Sequence, residues 1–409
     1  MNTIAILGGG ASGLAAAIAA RERLDNTVIV LERQARVGKK LLATGNGRCN
    51  LTNENACAEH YHGADVDFMT PAMRRFGTAE TLRWFASLGL AVRTEPGGRV
   101  YPLSDTAGSV VDTLRLAADA AGAQLRCGFD AAGVSVRKGK FIVTPFEGEP
   151  VTADRLIVAC GGMAGSKLGG TETGYTLLGQ LGHRRTKLYP SLTQVTTENT
   201  YTRALKGVRT QAVVTLERRG TVLARSSGEV QFADYGLTGP AVFDISRAAA
   251  QCGGGCEIVL RLLPELDTDA VADYIREKQS RFPNYRAENL FTGLLHNSIA
   301  RVLLRRSDIR QDAFLWSLTQ DQLDALAGLI ARFPLPLQGV HGFADAQVTA
   351  GGVETSGFDP ETMASRLVPG LYACGEVLDI DGDCGGYNLQ WAWASGRLAG
   401  LSAAGGELS

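Results

Sequence analysis

Near the start of the chain, Gly8-Gly9-Gly10-Ala11-Ser12-Gly13 carries the spacing Gly-x-Gly-x-x-Gly between an apolar run, Thr3 to Leu7, and an Ala-rich stretch, Ala15 to Arg23. A strand that turns through glycines into a helix suits a dinucleotide. Gly8 permits the tight turn, Gly10 lets a pyrophosphate approach the backbone, and Gly13 lets helix and strand pack closely. The helix start at Ala11 and Ser12 offers free N–H groups and a partial positive charge to the phosphates. Glu32 closes the next apolar, β-branched run, Thr27 to Leu31, where an acidic side chain accepts ribose hydroxyls and excludes a 2′-phosphate. The fingerprint does not separate NAD from FAD.

Downstream residues make that choice. Leu156 to Gly162 is a buried run ending in Ala159 and the pair Gly161-Gly162, the form in which flavoproteins return the chain beneath the FAD pyrophosphate. Gly370 to Glu376 is a further strand ending in Gly375 and an acid, Glu376, suited to the ribityl chain although many flavoproteins carry the shorter Asp. Asp381 to Asn388 then leads through Gly385-Gly386 into a helix, Leu389 to Leu401, whose start can approach the pyrimidine end of a flavin. Between these segments, Gly38 to Asn53 mixes Gly, Asn, Lys and Arg without periodicity, in a loop long enough to be functional. The expected cofactor contacts there are Lys40, Leu41, Gly45, Asn46, Gly47, Arg48, Cys49 and Asn50, with Arg33 after Glu32, and Tyr387 and Asn388 after the glycine pair.

For catalysis the leading candidates are Tyr387, as proton donor or ring-stacking residue, and Arg48, whose alternative is an internal hydrogen-bonding role in its loop. His60 and His62 flank Tyr61 in a polar loop that could cover a flavin, whereas His183 reads as a helix-end residue. Cys384 has no second Cys at Cys-x-x-Cys spacing. Cys252 and Cys256 enclose three glycines and read as a turn, since no second Cys or His pair lies near enough for zinc. No metal site is expected.

Composition narrows the field. The net charge is −1 and no Lys/Arg run occurs, which excludes a nucleic-acid partner on electrostatic grounds. No apolar stretch reaches the ~20 residues of a membrane helix, and the eight scattered cysteines read as free thiols of a reducing cytoplasm.

These sites need strands and helices to hold them. Helices are expected at about Thr78 to Leu88 and Ala107 to Ala121, ending near Gly89 and Gly122. Antiparallel strands follow over Phe129 to Pro145, and a hairpin over Gln211 to Ser226 turns at Arg219-Gly220. Cys256 to Leu262 makes another strand, and Leu266 to Ala331 is helical between Pro264 and Pro334. The fold class is α/β: a Rossmann-type FAD-binding domain from both chain ends (1–190 and 345–409), interrupted by a β-barrel-like insert (191–262) and a mainly helical insert (263–344).

Two strings, Gly38-Lys39-Lys40-Leu41-Leu42-Ala43-Thr44-Gly45-Asn46-Gly47-Arg48-Cys49-Asn50-Leu51-Thr52-Asn53 and Gly385-Gly386-Tyr387-Asn388-Leu389-Gln390-Trp391-Ala392, resemble the BaiN-like, or YhiN-like, family of bacterial FAD-dependent oxidoreductases. Shorter matches at Gly98 to Pro102, Gly236 to Pro240 and Thr349 to Val353 extend the resemblance over essentially the whole chain. It implies an NAD(P)/FAD-dependent oxidoreductase passing a hydride from NAD(P)H or an organic donor, through FAD, to a small organic acceptor. The rival readings are an oxidase of amines or aminoketones using oxygen, and a non-catalytic flavin-binding module with a macromolecular partner.

Overall fold

Parallel strands covered on both faces must be apolar along their whole length, and that is the character of Thr3–Leu7, Thr27–Glu32 and Arg155–Val158. The computed structural model, which describes residues 2–22 and 25–405, joins them into a five-stranded sheet. Its order is Leu371–Ala373, Arg155–Val158, Thr3–Leu7, Thr27–Glu32, Gln124–Cys127, every pair parallel. Leu7 lies opposite both Leu31 and Val158, so Gly8, Glu32 and Ala159 all emerge at the carboxyl edge. The chain leaves Thr3–Leu7 toward one neighbour and later returns on the other side. Ligands of open α/β sheets bind at that kind of switch point.

The helix Ala11–Ala20 is buried from Ser12 to Ala20, and its small side chains let the last helix, Tyr387–Ala404, lie against it. Thr78–Ser87 and Ala107–Ala120 end where the sequence places them, with Gly89 and Gly122 at positive φ. The first helix ends at Ala20, with Arg21 closing it and Glu22 in a turn, short of the expected Arg23, which itself lies outside the described residues. Two-residue strands, Tyr61–His62 and Asp381–Gly382, pair antiparallel near the start of the last helix.

These elements form one compact unit, up to Tyr189 and from Phe343 onward; Pro190–Gly342 forms a second. The second unit holds a closed six-stranded barrel, ordered Val195–Thr197, Gly236–Thr238, Thr221–Ala233, Arg209–Arg218, Cys256–Arg261, Phe333–Val340. Its long hairpin turns at Arg219 and Gly220, both at positive φ, as the sequence indicates. Two features differ from expectation. The sixth strand follows the helices Thr268–Arg281, Asn297–Arg306 and Gln320–Ala331, so the helical segment is inserted within the barrel rather than appended to it. Pro334 reads as punctuation, yet it sits in that strand opposite Val259, with Pro336 opposite Glu257. Second, Cys252 and Cys256 are paired as a disulfide rather than left as free thiols, because the Gly253–Gly255 turn brings the helix end at Gln251 back to the strand at Cys256.

Candidate functional site

The loop after the first strand is built from backbone packed against backbone. Gly38 N–H donates to the Gly9 carbonyl at 2.8 Å and Gly8 N–H to the Leu31 carbonyl at 2.9 Å. A β-carbon at Gly13 would lie 1.8 Å from the Gly8 oxygen, so helix and strand touch there. At Gly10, which caps Ala11–Ala20, a β-carbon would meet nothing within 4 Å, and no side chain caps the helix. The turn is thus closed behind and open in front, with uncapped N–H groups facing the opening.

Glu32 is held by two backbone donors, Gly9 N–H at 2.7 Å to Oε2 and Gln34 N–H at 2.7 Å to Oε1. Each carboxylate oxygen keeps a lone pair for a ribose hydroxyl. Glu32→Ala removes that acceptor and strands both N–H groups. Hydrogen bonds to a charged group contribute about 1.5–3 kcal/mol, so FAD should dissociate roughly tenfold to a hundredfold more readily, measured by flavin release from the holoprotein. Glu32→Gln should lose less.

A second cluster gathers residues from four places in the chain. Glu376 accepts from Lys40 Nζ at 2.8 Å through Oε2 and from the Thr349 N–H at 2.9 Å through Oε1. Thr349 Oγ1 accepts from the Ala164 N–H at 3.0 Å, and Gly161 and Gly162 lie directly beneath the carboxylate. Gly375 N–H donates to Ser395 Oγ at 3.0 Å, and its backbone packs on Ser12, which ties the third strand end to the phosphate loop. Arg33 donates to the Gly169 carbonyl at 3.2 Å.

The Gly38–Asn53 loop divides. Leu41, Cys49 and Asn50 are buried, and burial pushes the Cys49 thiol up to about 12, so it is no nucleophile at neutral pH. Gly45 packs against Asn50 N and the Tyr101 ring, while Asn46 and Gly47 are exposed. Arg48 points into an ion-pair cluster. It donates to Asp105 Oδ1 at 2.9 Å and Glu95 Oε1 at 2.5 Å, lies 3.9 Å over the Tyr101 ring, and shares both acids with Arg93. Asn50 Oδ1 is buried with no hydrogen-bond partner among the described residues, an unsatisfied acceptor beside Gly386.

At the start of the last helix, Gly386 has φ +101° and a β-carbon there would fall 2.5 Å from the Thr52 oxygen and 3.0 Å from Asn50 Oδ1. The sequence expectation is that this glycine admits the flavin; in the structure its missing β-carbon admits the 50–52 backbone. Asn53 Nδ2 donates to the Gly385 carbonyl at 2.9 Å, and the Asn388 amide closes the turn by donating to the Gly382 carbonyl at 2.7 Å and accepting from its N–H at 2.8 Å. The Tyr387 ring is buried, stacked on His60 at 4.3 Å and 19°, with Tyr61 edge-on. His60 Nδ1 lies 3.0 Å from Asp383 Oδ2, and His62 Nε2 lies 2.7 Å from Asp383 Oδ1. Burial pushes the Asp383 carboxyl up, but the hydrogen bonds of His62 and His60 together outweigh it and hold the group below the usual carboxylate range.

Lys40, Glu376 and the Gly161-Gly162 pair are brought together, whereas Gly385-Gly386 packs on the 50–53 segment, Arg48 pairs with Glu95 and Asp105, and Asn46 and Gly47 are exposed. Thr349 and Asp383 go unremarked in the sequence as site residues. The glycines that follow Thr349, and the aspartate set between Gly382 and Gly385, are the only signals for them.

The fit to FAD is good: an open, uncapped phosphate turn, a fixed ribose acceptor, and an orphaned buried acceptor beside the last helix. Fold and site together define an FAD-dependent oxidoreductase. The chain belongs to the family described as HI0933-like protein Rossmann domain, which matches residues 2–402. It is 40% identical over 408 residues to a 3-dehydro-bile acid delta(4,6)-reductase of Clostridium scindens, covering 99% of each chain. It is 29% identical over 393 residues to a ribosomal RNA dihydrouridine synthase of Escherichia coli, covering 95% of each. Among solved structures, a 3-ketosteroid-delta4-(5alpha)-dehydrogenase of Rhodococcus jostii overlays with TM-score 0.49 at 16% identity, covering 98% of this chain and 96% of that one. A relative named for ribosomal RNA leaves the charge-based exclusion of nucleic acid without support. No helix among the described residues is long and apolar enough to cross a membrane.

Proposed function

We propose that this enzyme reduces a carbon–carbon double bond conjugated to a carbonyl, drawing electrons from NADH or NADPH in the cytoplasm. The observation that carries the reading is the His60–Asp383–His62 arrangement beside Tyr387, a proton store at the start of the last helix. The names of the two relatives support it, because each describes hydrogen added across a double bond that lies in conjugation with a carbonyl. Only one complete glycine fingerprint is present, so the nicotinamide docks without a glycine turn of its own.

FAD, when bound, would supply the hydride for the alkene carbon remote from the carbonyl. The chain supplies the matching proton to the carbon next to the carbonyl. His60 and His62 are half-buried, and Asp383 fixes both rings. Tyr387, buried under His60, sets the imidazole plane rather than giving up its own proton. Lys40 and Thr349 fix Glu376, which would hold the ribityl chain, and Arg48 ties the glycine loop to the strand Val92–Glu95 through Glu95.

Asp383→Asn should slow alkene reduction by about tenfold to a hundredfold, within or below the range for general acid–base groups, and leave flavin reduction by the nicotinamide unchanged. Because the native carboxyl is held low, its contribution to stability is full above pH ~4 and is lost as pH falls through the lowered value. Melting curves of Asp383→Asn should lack that part of the acid sensitivity. The reading itself is tested by anaerobic rapid mixing of the FAD-loaded enzyme with NADH and NADPH, then with conjugated enones. Flavin bleaching by a nicotinamide and recovery by an enone is expected. Reduction by amines with recovery only by oxygen would replace it with an oxidase.

A further inference from the structure

The second unit carries a surface that no part of the flavin chemistry uses. Where the helix Thr268–Arg281 ends, residues 283–286 run antiparallel to 314–316: Trp316 N–H donates to the Pro283 carbonyl at 3.1 Å and Leu315 N–H to the Tyr285 carbonyl at 2.9 Å. Leu315 and Ala287 are buried and anchor this ladder. Its outer side presents two stacked pairs, Phe282 with Tyr285 at 4.9 Å and 23°, and Phe314 with Trp316 at 6.1 Å and 15°. Trp316 is 62% exposed and Tyr285 48%.

Cations are interleaved with these rings. Lys278 and Arg281 lie 5.2 and 5.7 Å from the Phe282 ring, and the Arg286 guanidinium lies 3.9 Å over Phe314. From Tyr274 to Trp316 there are eight Lys and Arg against four Asp and Glu, in a chain that totals 41 against 42. The acids are not idle: Asp312 pairs with Arg310, and Glu277 with Arg281. The remaining excess is positive. An adjoining open cleft of about 490 Å³ is lined by Arg305 and Arg310 together with Asp308 and Asp312. The sequence shows no basic run because Lys278, Arg281 and Arg286 are set apart in the chain, and the fold brings them to these rings.

Exposed aromatic surface of this kind marks an interaction site. A hydrophobic protein groove would offer continuous apolar area, whereas here each pair of rings has a cation at its side. Flat faces for bases alternating with heads for phosphates is how sequence-tolerant single-strand binding is built. We propose that the Tyr285–Trp316 platform binds a single-stranded nucleic acid segment, the bases stacking on Trp316 and Tyr285 and the backbone meeting Lys278, Arg281 and Arg286. This does not rest on the reaction proposed above.

The test is fluorescence anisotropy of labelled 12-mers of oligo-U and oligo-dT, and of a 12-bp duplex, with the full-length FAD-loaded enzyme at 50 and 200 mM salt. Single strands should bind and the duplex bind more weakly; the two strands report whether RNA or DNA is preferred. Affinity should fall with salt with a slope of about −2, as for three phosphate contacts on a single strand. Trp316→Ala and Tyr285→Ala should each weaken binding roughly fivefold to a hundredfold. Arg286→Ala should lower the salt slope by about 0.7. All three should keep their flavin and its reduction by dithionite, which separates loss of the surface from loss of the fold. No binding at micromolar protein, equal binding by the variants, or salt-insensitive capture of a protein through the same residues would overturn the assignment.

Discussion

Gly13→Val protein should purify colourless. The added β-carbon would stand 1.8 Å from the Gly8 carbonyl oxygen and 3.5 Å from the Ala159 β-carbon. What it meets first is backbone of the phosphate turn, which no rotamer change relieves. The helix Ala11–Ala20 must lift off the strand, and the N–H groups that face the diphosphate move with it, so retention of FAD should fall by more than about a hundredfold. Gly10→Ala provides the contrast. Nothing lies within 4 Å of its β-carbon, so the apoprotein should melt with the wild type, yet the methyl group occupies the space left for phosphate and FAD should bind weakly. Flavin content after purification, together with apoprotein melting curves, separates the two. A yellow Gly13→Val protein would refute the placement of the cofactor.

Gly386→Val should be the next most damaging change. Valine is strained at φ +101°, and its β-carbon would be driven to 2.5 Å from the Thr52 oxygen and against Asn50 Oδ1. The start of the last helix would shift and the orphaned Asn50 acceptor would be displaced. A helix N-terminus contributes about 0.3–2 kcal/mol toward a nearby negative charge, so weakening that contact should lower the flavin potential by roughly 10–40 mV for a two-electron couple. FAD should also be held less tightly. Ser402→Ala is the control: its hydroxyl is buried near the far end of the same helix without a partner, so its removal should change neither quantity. Spectroelectrochemical titration of the three proteins decides; an unchanged potential and FAD affinity in Gly386→Val would make the glycine only a packing residue.

Elements set by local rules were legible in the sequence. The buried parallel strands read as apolar runs, the helix ends as Gly89 and Gly122, the hairpin as Arg219-Gly220, and the ribose acceptor as Glu32 at the end of its strand. What stayed hidden depends on residues distant in the chain. His62 meets Asp383 across 321 residues through strands two residues long, which carry no periodicity. Glu376 reads as a ribityl ligand, but Thr349, which fixes it, is an unremarkable polar residue before a glycine pair. Arg48 belongs to a promising string, yet Glu95 and Asp105 claim it, and their spacing gives no sign of this. The sixth barrel strand went unread because its prolines argue against a strand, and a closed barrel tolerated them.

The parallel sheet takes its edge strand, Leu371–Ala373, and the helix packed on Ala11–Ala20 from residues that follow the barrel in the chain. During translation the first 189 residues therefore wait with one sheet edge unpaired and one apolar helix face uncovered while residues 190–342 are made. Contacts this distant in sequence close slowly, and exposed edges of this kind invite wrong pairing. The barrel can thus fold before the domain that precedes it, and the flavin enters only after the carboxyl-terminal segment has left the ribosome. Cofactor supply then acts after the barrel is made, as a trap for the late closure of the sheet rather than as a template for its beginning.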